Sequence, residues 1–151
     1  MTAINRITRD DVETFKLVPA FNIYQRIATQ SAIYPGQGTT LGLIYTALKM
    51  NGEAGEFAEH VGKAMRDDDL LEIRNGDDGR RGDEPCVCLD DGELTADRHT
   101  LLVKEIGDVL WYLSAACNEL GITLAEAAAT NLEKLCDRGE RNQLQGSGDT
   151  R

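Results

Sequence analysis

The sequence predicts an all-α protein of four helices, with an irregular excursion over 67–96 between the second and third. Three observations carry that expectation. Two long stretches, about 40–66 and 97–120, repeat apolar residues at helical spacing. Thr123 followed by Glu126 forms a capping box that opens another helix directly after Gly121. The intervening RNGDDGRRGDEPCVCLDDGEL is rich in Gly, Asp and Arg and breaks the helical pattern.

Residues 1–17 are polar and mixed and suit a short turn or lead-in. Pro19 fits the first turn of a helix, and AFNIYQRIATQSAIY carries an apolar stripe of Phe21, Ile23, Tyr24, Ile27 and Ala28, ended by Pro35 and Gly36. In the second helix, at ~100° per residue, Ile44, Ala47, Leu48, Ala54, Ala58, Val61 and Met65 fall on one side. Lys49, Glu53, Glu56, His60 and Lys63 fall on the other. Within the excursion, PCVCL between two turn signals is compatible with a short hairpin strand. The third helix has an apolar face of Leu102, Ile106, Val109, Leu113, Cys117 and Leu120 beside a polar stripe of Glu105, Asp108, Tyr112 and Glu119, and Gly121 caps it. The fourth has a core stripe of Leu124, Ala128, Leu132 and Leu135 and a polar face of Asn131, Lys134 and Arg138. Residues 142–151 have the composition of a flexible tail. A chain of 151 residues suits one domain, 1–151. So few helices bury more apolar surface against another copy, which predicts a homodimer or homotetramer.

The net charge of −10 argues against a nucleic-acid partner, which calls for a basic face. No apolar run approaches the ~20 residues that span a bilayer, and MTAINRITRDDVETF lacks a secretory apolar segment, so no membrane association and a cytoplasmic location are expected. Cys86 and Cys88 form a lone C-x-C without a second pair at zinc spacing, and Cys117 and Cys136 fall in helical patterns. Reduced thiols are expected over a zinc site.

The chemistry lies in two acidic pairs, Glu53 with Glu56 in NGEAGEF and Glu105 with Asp108 in KEIGDVLWYL. A step of three residues puts both members of a pair on one helix face. Two such helices facing each other bring four carboxylates together, and carboxylates so crowded call for cations between them. All-oxygen ligands suit Mg²⁺, with Mn²⁺ as a substitute, and Mg²⁺ keeps positions open for water and phosphate. A solvated acidic face is the simpler account of either pair alone. Gly55 and Gly107 each sit inside a pair, at a cost of about 1 kcal/mol in a helix; either helix packing or the close approach of a ligand accounts for them. Neither pair ends in the Glu-x-x-His of a di-iron bundle, which weakens a redox reading. His60, four residues after Glu56, fits a place beside the ligands better than one among them.

GEAGEF and KEIGDVLWYL together resemble the E-x-x-E…E-x-x-D signature of the MazG-like nucleoside triphosphate pyrophosphohydrolases, an all-α superfamily. YQRIATQSAIYP is similar to that family's first helix, KAMRDD to the end of its second, and NLEKLCDRGERNQLQGSGDTR to its C-terminal segment. The resemblance implies a MazG-like four-helix bundle that hydrolyses a nucleoside triphosphate to its monophosphate and pyrophosphate. It implies that Glu53, Glu56, Glu105 and Asp108 hold Mg²⁺ and serve catalysis. Many relatives carry a further Glu where this chain has Gly52, so the resemblance does not extend to that carboxylate. Lys134 is the basic residue the resemblance favours for the triphosphate, with Arg138 and Lys63 beside it as candidates; Asn131 is a candidate for metal, sugar or base, and Tyr112 for stacking on the base. Trp111 reads as a packing residue, and the amides of Asn22, Gln25 and Asn118 are further candidates for base edges. Phage members that act on dGTP (a MazZ-like branch) are among the relatives resembled, which makes dGTP or GTP one candidate substrate among nucleoside triphosphates, with control of nucleotide pools as the role and, for a phage protein, host cytoplasm as the place. The rival function is a non-catalytic helical assembly module with solvated acidic faces.

Overall fold

The computed structural model describes residues 7–68, 70, 72–75, 85–88 and 93–141. In chain order it has α1 (Arg9–Lys16), α2 (Ala20–Ala28), a 3₁₀ turn (Thr29–Ser31), α3 (Thr40–Asp67), β1 (Glu72–Asn75), β2 (Pro85–Cys88), α4 (Ala96–Leu120) and α5 (Leu124–Glu140). The predicted all-α architecture is present, and the excursion carries the hairpin that PCVCL suggested: β1 and β2 pair antiparallel with Ile73 opposite Val87. The expected flexible tail over 142–151 and the side chains of Cys86 and Cys88 lie outside the described residues.

One correction concerns the lead-in. A short turn or lead-in was expected over residues 1–17, and α1 occupies Arg9–Lys16 of it. Its start is a capping box: the Thr8 Oγ1 accepts from the Asp11 N–H at 3.2 Å, and the Thr8 N–H donates to Asp11 Oδ2 at 2.8 Å. Asp10 and Asp11 also favour the positive end of the helix dipole. Pro19 stands at the N-cap of α2, one position earlier than expected, and α2 tightens into the 3₁₀ turn rather than running on to Tyr34.

Contacts group the chain into two compact units, one comprising the residues up to Ala47 and from Trp111 onward, the other Leu48–Leu110. In the first, Arg9 on α1 reaches Asp137 and Glu140 on α5, and Lys16 pairs with Glu133 at 2.8 Å. Val12, Ala115, Cys117, Leu124 and Cys136 are buried there. The buried Gln25 fastens α2 to the α4–α5 turn. Its Nε2 donates to Asn118 Oδ1 at 2.7 Å and to the Ile122 carbonyl at 3.2 Å, and its Oε1 accepts from the Leu124 N–H at 2.7 Å. Glu119 closes the loop before α3, accepting from the Tyr34 hydroxyl at 2.6 Å and the Gly38 N–H at 2.9 Å. The two bonds hold its carboxyl below the usual range, the hydroxyl having the larger effect. Gly121, at φ 68°, ends α4, and the Thr123–Glu126 box starts α5, both as expected.

A second correction concerns which faces are buried. On α3 the predicted apolar side is largely outward: Ile44 is 52 % exposed and Leu48 68 %, with Ala54, Ala58 and Met65 exposed as well. Thr46 and Ala64 are buried, and Glu53, Phe57 and His60 are half-buried, as are Ala47 and Val61 of the predicted apolar side. On α4, Leu102 and Cys117 are buried as expected, but Ile106, Leu113 and Leu120 are exposed at seven-residue spacing. Arg138, expected on a polar face, is buried. No helix among the described residues is long and apolar enough to cross a membrane.

Candidate metal centre

Within the unit of Leu48–Leu110, α3 supplies Glu53 and Glu56 and α4 supplies Glu105. One oxygen from each of the three carboxylates lies within 4.8 Å of the others. Glu105 is buried, Glu53 half-buried and Glu56 exposed, so the group opens on the Glu56 side. Asp108, one turn beyond Glu105, is exposed and is not among the carboxylates gathered there.

Two partners moderate this negative charge. Lys49, one turn before Glu53, places its Nζ 3.2 Å from Glu53 Oε1. His60 places Nε2 3.7 Å from Glu105 Oε1. Lys63, a candidate for the triphosphate, pairs with Glu59 at 2.6 Å and holds that carboxyl below its ordinary range.

The donor set fits a hard divalent cation. All three donors are carboxylate oxygens, and two ligands on opposite sides of Mg²⁺ stand about 4.2 Å apart, inside the span that the three glutamates mark out. Two carboxylates ~5 Å apart repel by about 3 kcal/mol at an effective dielectric constant of 20. Among the described residues, a Cβ built on Gly55 or Gly107 meets nothing within 4 Å outside its own helix backbone.

The remaining candidates belong to the other unit. Tyr112 is half-buried with its ring edge-on to Trp111, centroids 4.9 Å apart. Trp111 is a packing residue, as expected: its Nε1 donates to the Ala28 carbonyl at 3.0 Å. On α5 Asn131 is exposed, Lys134 half-buried and Arg138 buried. Asn22, Gln25 and Asn118 line one cleft of about 490 Å³ together with Arg26, but Gln25 is committed to the backbone bonds already described.

Arg98 and Asp68 were missed in the sequence. Arg98 donates to Asp68 through Nε at 2.8 Å and Nη2 at 3.2 Å, and its Nη1 lies 3.3 Å from His60 Nδ1. Thirty positions separate Arg98 from Asp68, so no local spacing signals the pair.

The family model of the MazG nucleotide pyrophosphohydrolase domain matches residues 44–141, a span that contains all four predicted acids. The chain is 36 % identical over 133 residues to the Gene 37 protein of Mycobacterium phage L5, covering 86 % of this chain and 97 % of that protein. No solved structure matches the chain.

Proposed function

The chain belongs to the MazG nucleotide pyrophosphohydrolase family, and from that premise we propose that it hydrolyses a nucleoside triphosphate to the monophosphate and pyrophosphate, using Mg²⁺ held by Glu53, Glu56, Glu105 and Asp108. The observation that carries this reading is the approach of three carboxylates from two helices to within 4.8 Å of one another. A divalent ion bound there would polarise phosphoryl oxygens and lower the pKa of a bound water. Glu53, Glu56 and Glu105 would form the cage, with Asp108, exposed one turn beyond Glu105, as the fourth proposed ligand. Lys49 holds the Glu53 carboxylate from one turn away. Water attacks the α-phosphorus, one of the carboxylates takes its proton, and the bond to the β-phosphate breaks to release pyrophosphate.

Lys134 and Arg138 offset the charge of the triphosphate, with Lys63 available once released from Glu59. Asn131 and Tyr112 contact the sugar or the base. The proposed substrate is dGTP or GTP, in keeping with a phage relative and a role in nucleotide pools in the host cytoplasm. The exposed apolar residues of α4 support assembly as a homodimer or homotetramer.

The test is incubation with a panel of ribo- and deoxynucleoside triphosphates and Mg²⁺, followed by separation of products. Monophosphate with pyrophosphate is expected; diphosphate with phosphate would place the cleavage at the wrong bond. Glu53→Gln and Asp108→Asn are expected to abolish turnover while leaving the circular dichroism spectrum native. Full activity in both would remove the metal cage from the mechanism.

A further inference from the structure

His60 faces two groups at once. Its Nε2 lies 3.7 Å from Glu105 Oε1, and its Nδ1 lies 3.3 Å from Nη1 of Arg98. A guanidinium has hydrogens to donate and no acceptor. The contact with Arg98 therefore makes Nδ1 the accepting nitrogen, which leaves the ring proton on Nε2, the nitrogen beside Glu105. Arg98 is itself fixed by its two bonds to Asp68. The four side chains are well shielded: Asp68 is 16 % exposed, Arg98 14 %, His60 20 % and Glu105 11 %. Asp68 follows the last residue of α3 and Arg98 is the third residue of α4, so their pair closes the base of the hairpin excursion.

We propose that Asp68, Arg98 and His60 form a positioning relay for the metal centre, in which the orientation of Glu105 is set by a donor nitrogen whose tautomer Arg98 dictates. The proposal rests on Glu105 being a metal ligand. Groups that orient a ligating carboxylate commonly matter to metal affinity by tenfold to a hundredfold. The 3.7 Å separation exceeds a made hydrogen bond, and a movement of about half an ångström closes it. The relay also ties the metal centre to the end of α3 and the start of α4.

Two measurements test it, neither of them turnover. The first is Mn²⁺ binding, followed by electron paramagnetic resonance, to the native protein and to His60→Ala, His60→Gln, Asp68→Asn and Glu53→Gln. Glutamine keeps an N–H near the place of Nε2, so His60→Gln is expected to bind within about threefold of the native protein. His60→Ala is expected to lose about tenfold or more, and Asp68→Asn to weaken binding in the same direction while it melts, metal-free, as the native protein does. Native affinity in His60→Ala, or loss in His60→Gln as large as in His60→Ala, would overturn the relay while the metal centre stands. Failure of the native protein to bind Mn²⁺, or native affinity in Glu53→Gln, would overturn the metal centre and the relay with it. The second measurement needs no variant: ¹⁵N correlation spectra of the native imidazole are expected to show the proton on Nε2. A ring protonated on Nδ1 alone would overturn the proposal.

Discussion

Replacing Glu105 by Gln separates a stabilising carboxylate from a ligating one, because the two roles predict opposite shifts. The Glu105 carboxylate lies within 4.8 Å of oxygens from both Glu53 and Glu56. Each pair repels by about 3 kcal/mol at an effective dielectric constant of 20. The exposed Glu56 is screened by water, and the contact with His60 offsets part of the remainder, so removing the charge is expected to stabilise the metal-free protein by about 1–2 kcal/mol. For a chain of this size that raises the melting temperature by roughly 2–8 °C. Mg²⁺ at a hundred times its dissociation constant then stabilises the native protein by about 2.7 kcal/mol and leaves Glu105→Gln unmoved. The order of stability therefore reverses with Mg²⁺, which differential scanning fluorimetry with and without the ion reads directly. A Glu105→Gln protein that melts below the native one without metal, or that gains as much from Mg²⁺, would refute the reasoning.

Three further outcomes are expected. A Cβ at Gly42 falls 2.6 Å from the Gly36 carbonyl oxygen and 2.8 Å from the Glu119 side chain, so Gly42→Ala is expected to cost about 1–3 kcal/mol. Gly62→Ala, where nothing lies within 4 Å, should gain about 1 kcal/mol; urea melts of both check the contrast. The Glu119 carboxyl is held below its ordinary 4.5 by the Tyr34 hydroxyl and the Gly38 N–H. It therefore contributes stability that is present above that value and is lost as pH falls through the lower, folded one. Glu119→Gln should flatten the acid limb of stability against pH, measured by chemical denaturation below pH 5, and leave the neutral limb parallel to native. Ile106→Glu combined with Leu113→Glu, on the outward stripe of α4, should lower the sedimentation coefficient toward that of a monomer without loss of helix signal.

Features written in short range were readable in the sequence. The Thr123–Glu126 box, the Gly121 cap and the strand read from PCVCL each need only a few adjacent residues, and each recurs in the structure, the last as β2 over Pro85–Cys88. The box at Thr8–Asp11 was written in the same way, but α1 brings only Val12 and Phe15 to an apolar face, too few for periodicity to register. Long-range pairs were not readable: Asp68 with Arg98 and Arg9 with Glu140 depend on where the helices end. The acidic pairs were visible by spacing. That Glu105 is buried and Glu53 half-buried, while Glu56 and Asp108 stay exposed, was not, because apolar count favoured the opposite side of α3.

That orientation bears on the rival reading of the acids. A carboxylate that serves solubility gains nothing from leaving water, and burial of an ionised one without compensation is costly. Glu105 is nonetheless 8 % exposed, while Ile106 beside it is 55 % exposed. Solvation of a helix face would produce the reverse order. Beside the acids a lysine touches Glu53, and a histidine stands 3.7 Å from Glu105. An arrangement that turns Glu105 inward and leaves Ile106 and Leu113 outward is costly for an isolated chain. It becomes economical when a cation occupies the acids and a second copy covers the apolar stripe. One protein then has reason to bind both.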